Sequence, residues 1–334
     1  MKLLNFAVAF FAASSAIAAP LAKRAEDKNK TILLTNDDGW ASTNIRATYS
    51  ALKDAGYDVL LVSPVRQRSG YGGTFHIPQS TTLEEDGEFS YPPAGSPSWG
   101  HEDNDKNIWY FNGTPASCVA FAMSHVLPKE FDNKSIDLVV AGPNEGVNLA
   151  PGLFTLSGTM GATYHAVLRG LPAISFSGSN ETNAFFKDDG EKLSDEKFPP
   201  VIYAKKVVEL VDRLFDESSD RPRILPKTTG LNVNFPFVGN DDEDCLDPDW
   251  MFARLTGEDS VTPNLKVLSN GTIVRDEGVY KAPTECIFGD CDLPSESWVN
   301  KNLKCKTPIS VFSIDYDASF RQARSVQSLL SPLF

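Results

Sequence analysis

Short apolar runs rich in β-branched residues recur along this chain of 334 residues, and stretches with helical spacing separate them. That alternation constrains the fold most, because strand, crossover helix and next strand form one right-handed unit of a parallel sheet. Residues 31–35 (TILLT) read as a buried strand. Ile45, Tyr49 and Leu52 then recur at helical spacing up to Gly56, and 57–63 returns as a second strand. A strand at 108–111 follows, then Thr114 and Pro115 supply an N-cap and first-turn proline for a helix over 116–127, closed by Pro128. The pattern continues with strands at 136–141, 172–177 and 231–235, a helix at 157–169 closed by Gly170, and a helix marked by Val201, Val208, Val211 and Phe215. The expected architecture is α/β: a doubly wound, mostly parallel sheet with helices on both faces. Its ligands belong in crevices beyond the carboxyl ends of the strands.

Beyond Pro236 the regularity fades. Residues 237–306 are rich in Asp, Pro, Asn and Cys and predict a loop-rich region with short strands, stapled by two disulfides among Cys245, Cys286, Cys291 and Cys305. Three pairings are open. Cys118 stands apart in an apolar helical pattern, and 309–314 and 318–330 predict a last strand and helix. The polar, Pro/Gly-rich insert 84–107, which contains Tyr91 and Trp99, has the length and composition of a lid.

Met1-Lys2, an apolar stretch over 3–13 and an Ala16-Ile17-Ala18 cleavage pattern predict a signal peptide over 1–18, and the dibasic Lys23-Arg24 predicts a trimmed segment within 19–30. No later run reaches the roughly 18 apolar residues of a membrane helix. A secreted, soluble protein is expected, in the medium, the cell wall or the vacuole. Sequons at Asn29, Asn112, Asn133, Asn180 and Asn270 suit a glycoprotein, with Asn112, at the end of a strand-like run, expected to stay bare. A formal charge of -13 argues against a nucleic-acid polymer as partner.

The chemistry gathers in the turns. Asn36-Asp37-Asp38-Gly39 sets two adjacent carboxylates where a buried strand ends, and burying both is costly unless a cation offsets them. A solvated Asp-rich turn is the plainer alternative. Three more turns fall at strand ends: one with Arg66, Arg68, Ser69 and Gly70, one reading GPNEGVN over 142–148, and Ser157-Gly158-Thr159, whose helix-start amides form an anion cradle. Carboxylates, a hydroxyl and a carboxamide suit Mg²⁺, Mn²⁺ or Ca²⁺ better than zinc. His76, His101, His125 and His165 lack metal-ligand spacing, and Trp99, Trp109 and Tyr110 read first as packing. The chain has no Gly-x-Gly-x-x-Gly after the first strand, and no Cys-x₅-Arg, Arg-His-Gly or Gly-x-Ser-x-Gly signature.

In ordered succession, ILLTNDDG (32–39), Arg68-Ser69-Gly70, NGTPASC (112–118), GPNEGVNL (142–149), Ser157-Gly158-Thr159, GLPAIS (170–175) and LNVNFP (231–236) resemble the SurE-like phosphatase/nucleotidases, in a secreted, fungal-type form. The resemblance covers about two thirds of the chain and implies a Rossmann-like domain over 31–330, with an α/β core at 31–236, the Cys-rich extension at 237–306 and the final strand and helix at 307–330. It implies a metal-dependent phosphomonoesterase of acid phosphatase or 5'-nucleotidase type, using one divalent cation per subunit and water as nucleophile on a small phosphate ester. Asp37, Asp38, Ser69 and Asn144 fall on the family's metal ligands, with Asp37 and Asp38 as the catalytic pair. Asn148, Ser157, Gly158 and Thr159 fall on its phosphate-side positions. Pro143, Glu145, the aromatic insert and the Cys-rich region depart from the bacterial pattern. A homodimer or higher homo-oligomer is a further expectation. The competing expectation is a secreted protein that binds phosphorylated ligands with a metal but does not turn them over.

Overall fold

The structure, a computed structural model, describes residues 28–281, 286, 289–315, 317 and 319–331; the expected signal peptide and the Lys23-Arg24 site lie outside them. In chain order the elements are β1 (Thr31–Thr35), α1 (Thr43–Asp54), β2 (Asp58–Pro64), β3 (Trp99–His101), β4 (Ile108–Phe111), α2 (Pro115–Phe121), α3 (Leu127–Glu130), β5 (Leu138–Glu145), α4 (Ala150–Leu156), α5 (Gly158–Leu168), β6 (Ala173–Gly178), α6 (Pro199–Glu217), β7 (Thr229–Asn234), β8 (Asp249–Ala253), β9 (Val261–Val267), β10 (Ile273–Lys281), α7 (Glu296–Asn302), β11 (Lys306–Ser313) and α8 (Phe320–Leu329). Nine strands form one sheet in the order β3-β4-β2-β1-β5-β6-β7-β11-β8. The run from β4 to β7 is parallel throughout, while β3 and β11 pair antiparallel with the strands at its two ends. The chain steps from β1 to β2 on one side and later resumes with β5 on the other. The strand order therefore reverses between β1 and β5, the place where doubly wound sheets open a crevice.

Both faces of the sheet are covered, which is why its central strands are apolar without alternation. Ile32, Leu34, Leu138 and Val140 pack with Ile45 and Leu52 of α1 and with Ile202, Val207 and Val211 of α6. On the opposite face, Leu33, Val139 and Ala141 pack with Cys118 and Val119 of α2 and with Met160, Ala166 and Val167 of α5. Each of these Leu, Ile, Val and Met side chains, fully buried, contributes about 1.5–3 kcal/mol. The sheet is thus a stiff floor for the turns above it.

Several elements differ from the sequence expectations. The helix expected to stop at Pro128 passes instead through a π-helical turn (Ala122–Val126) into α3, with Pro128 in the first turn of that last segment. In the Cys-rich region β9 and β10 pair as an antiparallel hairpin longer than the short strands expected. Pro263 within β9 disguised it, yet proline is tolerated in an edge strand. Cys245 pairs with Cys305 and Cys286 with Cys291, while Cys118 is buried and free. The 84–107 insert packs onto the α/β body at Tyr91, which stacks on Trp40 at 4.8 Å, and Trp40 Nε1 donates to the Tyr91 carbonyl at 3.0 Å. Tyr110 packs on the same indole, and Trp99 and Trp109 stack on each other.

Candidate active site

Asp37 and Asp38 leave the carboxyl end of β1 at this crevice and are 2% and 0% exposed. Asn36 shapes the turn, its side chain accepting from the Gly39 N–H and donating to the Gly39 carbonyl. Asp37 is held from α5: Oδ2 accepts the Gly158 N–H at 3.0 Å and Oδ1 the Thr159 hydroxyl at 2.6 Å. A Cβ at Gly158 would stand 2.7 Å from Asp37 Cβ, so only glycine admits this approach. The anion received by the helix start is Asp37 itself, and the Ser157 hydroxyl is spent on the Met160 N–H as an ordinary cap.

Asp38 is secured from β5, where Oδ2 accepts the Glu145 N–H at 3.0 Å. Its buried Oδ1 has no hydrogen-bond partner. Asn144 spends its amide nitrogen on the carbonyls of Glu145 and Gly146, at 3.2 and 2.7 Å. Its Oδ1 is thereby turned toward the Thr159 hydroxyl, 3.4 Å away. The left-handed Gly142 (φ 105) shapes the path into this turn, and a Cβ there would lie 2.1 Å from the Phe176 carbonyl oxygen.

Electrostatics sharpen the picture. Burial raises the Asp37 carboxyl against the hydrogen bonds from Thr159 and Gly158. Burial, then the charges of Asp37, Glu145 and Glu88, push Asp38 well above the usual carboxylate range. No cationic side chain figures among these influences. Arg68, one of the two arginines singled out in the sequence, donates its backbone N–H to the Asp37 carbonyl but sends its guanidinium to Gly113 and Asn112. Two buried carboxylates, one unpartnered oxygen and an inward carboxamide oxygen fit a hard divalent cation. Among the described residues no three His, Cys, Asp or Glu side chains converge as a metal cluster, so neutral oxygens would complete the shell.

The eight expected site residues separate into groups. Asp37, Asp38, Asn144, Gly158 and Thr159 form one connected cluster, and Ser157 caps its helix. Asn148 instead donates its amide nitrogen to the Ser177 hydroxyl and its N–H to Asn234 Oδ1. Ser69 is exposed on the loop beyond β2, with no hydrogen bond to the cluster among the described residues. Residues without a role in the sequence reading also line the site. Glu145, pushed up to about 8 by burial, receives the Asn183 N–H, and Asn183 donates to Glu88 of the insert. Asn232 and Asn234, two apart on β7, had one signal: polar residues at strand period inside a buried run. None of the four histidines reaches the carboxylates; His165 bonds the Gly73 carbonyl.

The sequence model of the family described as Survival protein SurE matches residues 32–258, a span containing every one of these turns. The chain belongs to the SurE family. An acid phosphatase of Yarrowia lipolytica is 44% identical over 308 residues, 91% of this chain and 85% of that one. The 5'-nucleotidase SurE of Chlamydia trachomatis serovar A is 34% identical over 217 residues, 65% of this chain and 64% of its own. The crystal structure of the SurE protein from Aquifex aeolicus covers 90% of this chain and 99% of its own with a TM-score of 0.60, at 24% identity. That last likeness concerns the fold.

Proposed function

We propose that the Asp37–Asp38 site hydrolyses small phosphate monoesters with the help of one divalent cation, Mg²⁺ or Mn²⁺ before Ca²⁺. The chain is a phosphoric monoester hydrolase of the SurE family, related to an acid phosphatase and to 5'-nucleotidases. What supports the cation is a single observation: two fully buried carboxylates side by side, one with an oxygen lacking any partner, with no salt bridge to either among the described residues. Asp37, Asp38 and Asn144 would hold it. When bound, it supplies positive charge for the phosphoryl oxygens and acidifies adjacent water. The chain's own part is preorganisation. Thr159 and Gly158 lock Asp37 in place, and the Glu145 N–H leaves one Asp38 oxygen facing inward. Asn144 presents oxygen rather than nitrogen, and the buried floor excludes bulk water. Ser69, the fourth ligand that the resemblance implies, lies on the exposed loop beyond β2.

The finer expectations carry over as part of the proposal. Two disulfides suit an oxidising compartment, and no helix among the described residues is long and apolar enough to cross a membrane. Asn29, Asn133 and Asn270 are exposed and would take glycans, whereas the Asn180 and Asn44 side chains are buried and exchange hydrogen bonds. Exposed Phe320, Val326 and Leu329 on α8 suit a second copy. Release of phosphate from p-nitrophenyl phosphate and AMP, before and after chelation and in Asp38→Ala, tests the proposal. Metal binding without turnover would instead favour a phospholigand-binding protein.

A further inference from the structure

Glu296 begins α7, beyond the matched span 32–258, and its side chain is fully buried. One carboxylate oxygen accepts the Ala150 N–H at 2.8 Å, and the Asn232 amide nitrogen donates to both oxygens at 3.3 and 3.1 Å. The same nitrogen donates to the Asn148 carbonyl at 2.9 Å, while Asn234 Oδ1 accepts the Asn148 N–H at 2.7 Å. Three backbone groups of the turn after β5 are therefore gripped from beneath, two by β7 asparagines and one by Glu296. Ala150 needs that grip. Its φ of 61° is a left-handed conformation that residues other than glycine keep only when neighbours over-determine it.

The groups facing this carboxyl are neutral: the Ala150 amide, the Asn232 carboxamide and the Ser310 hydroxyl of β11. Arg254, whose carbonyl accepts the Glu296 N–H, aims its guanidinium at the Leu293 carbonyl instead. A buried acid without a counter-ion is a poor filler for a core, because an apolar side chain packs as well without the desolvation cost. Its geometry suits a clamp on a turn.

We propose that Glu296 is a positioning residue for the active site: it fixes the turn at 145–150 so that Asn144 and Asn148 keep their places. The proposal rests on the reading of Asn144 as a cation ligand. Because burial pushes the Glu296 carboxyl up to about 8, the clamp is neutral below that pH and acquires a buried charge above it.

Full-length Glu296→Ala and Glu296→Gln are the informative variants. Glu296→Ala is expected to weaken calorimetric Mn²⁺ affinity and raise KM for p-nitrophenyl phosphate by roughly ten- to a hundredfold. It should also speed amide exchange in the peptide over 145–156. Glu296→Gln, which keeps the acceptor, should restore most of this and flatten the pH profile above about 8. Wild-type affinity, KM and exchange in Glu296→Ala would overturn the clamp. If that variant does not fold, Glu296→Gln decides alone: an unchanged alkaline limb refutes the proposal. Asp38→Ala, measured in parallel, separates the two ideas. Should it keep Mn²⁺ binding and turnover, the cation site is wrong, and amide exchange in Glu296→Ala still judges the clamp.

Discussion

A methyl group added at Gly158 is the smallest change that should cripple the site without harming the fold. The added Cβ would lie 2.7 Å from Asp37 Cβ, 2.9 Å from Asp37 Oδ2 and 3.1 Å from Pro115 Cγ. Carbon atoms settle at about 3.5–4.0 Å, so an overlap of roughly an ångström must be relieved, and the Pro115 ring closes the other side. Asp37 has to move. Its shift strains the bonds from the Gly158 N–H and the Thr159 hydroxyl, and each hydrogen bond to a charged group contributes about 1.5–3 kcal/mol. Losing the equivalent of one costs about 2 kcal/mol, roughly thirtyfold in kcat/KM. Helix propensity works the other way, since alanine exceeds glycine by about 1 kcal/mol within a helix. Gly158→Ala should therefore melt near the wild-type temperature while losing activity. Steady-state kinetics with p-nitrophenyl phosphate at saturating Mn²⁺, beside calorimetric melts, provide the comparison. A kcat/KM within about twofold of wild type would refute the account of how α5 supports Asp37.

Dialysis against EDTA should abolish turnover, and added Mn²⁺ or Mg²⁺ should restore it; activity that survives chelation removes the cation from the reaction. Burial holds the His165 imidazole below its usual range, with Nε2 on the Gly73 carbonyl at 3.0 Å and Nδ1 beside Arg169 at 3.2 Å. Its contribution to stability is complete above about pH 6.5 and is lost as pH falls through the lower folded value, so His165→Gln should show a shallower acid limb in thermal melts. Identical slopes would contradict that assignment. Opening the Cys245–Cys305 bridge, which spans 60 residues, should cost about 4 kcal/mol in denaturant titrations, against about 2 for the five-residue Cys286–Cys291 bridge. Equal losses would count against the chain-entropy basis of the ranking.

The central strands were legible in the sequence because burial on both faces leaves apolar runs, as at Leu33 and Val139, and because polar turns punctuate them. The Asp37–Asp38 pair stood out for the same reason. Other parts had no local signature. Glu145 supports Asp38 through a backbone N–H that almost any residue offers, so its identity announces nothing. α4 spans seven residues and carries Pro151 and Gly152 directly after its first residue, Ala150, too short and too irregular to show a helical period. The role of Ser157-Gly158-Thr159 was legible only in part, since a cap and an anion site use the same amides and the sequence does not say which anion arrives. Glu296 acts solely through tertiary contacts with residues 146 and 64 positions away.

Asp37 and Thr159 are separated by 122 residues, and Asp38 and Glu145 by 107. An unfolded or half-made polypeptide thus brings together none of these partners beyond the two neighbouring aspartates. At the proposed site, loading would wait until β1 and β5 lie side by side. On this view the newly folded protein would take its ion from whichever compartment it reaches, with a melting temperature that climbs as the free ion concentration rises.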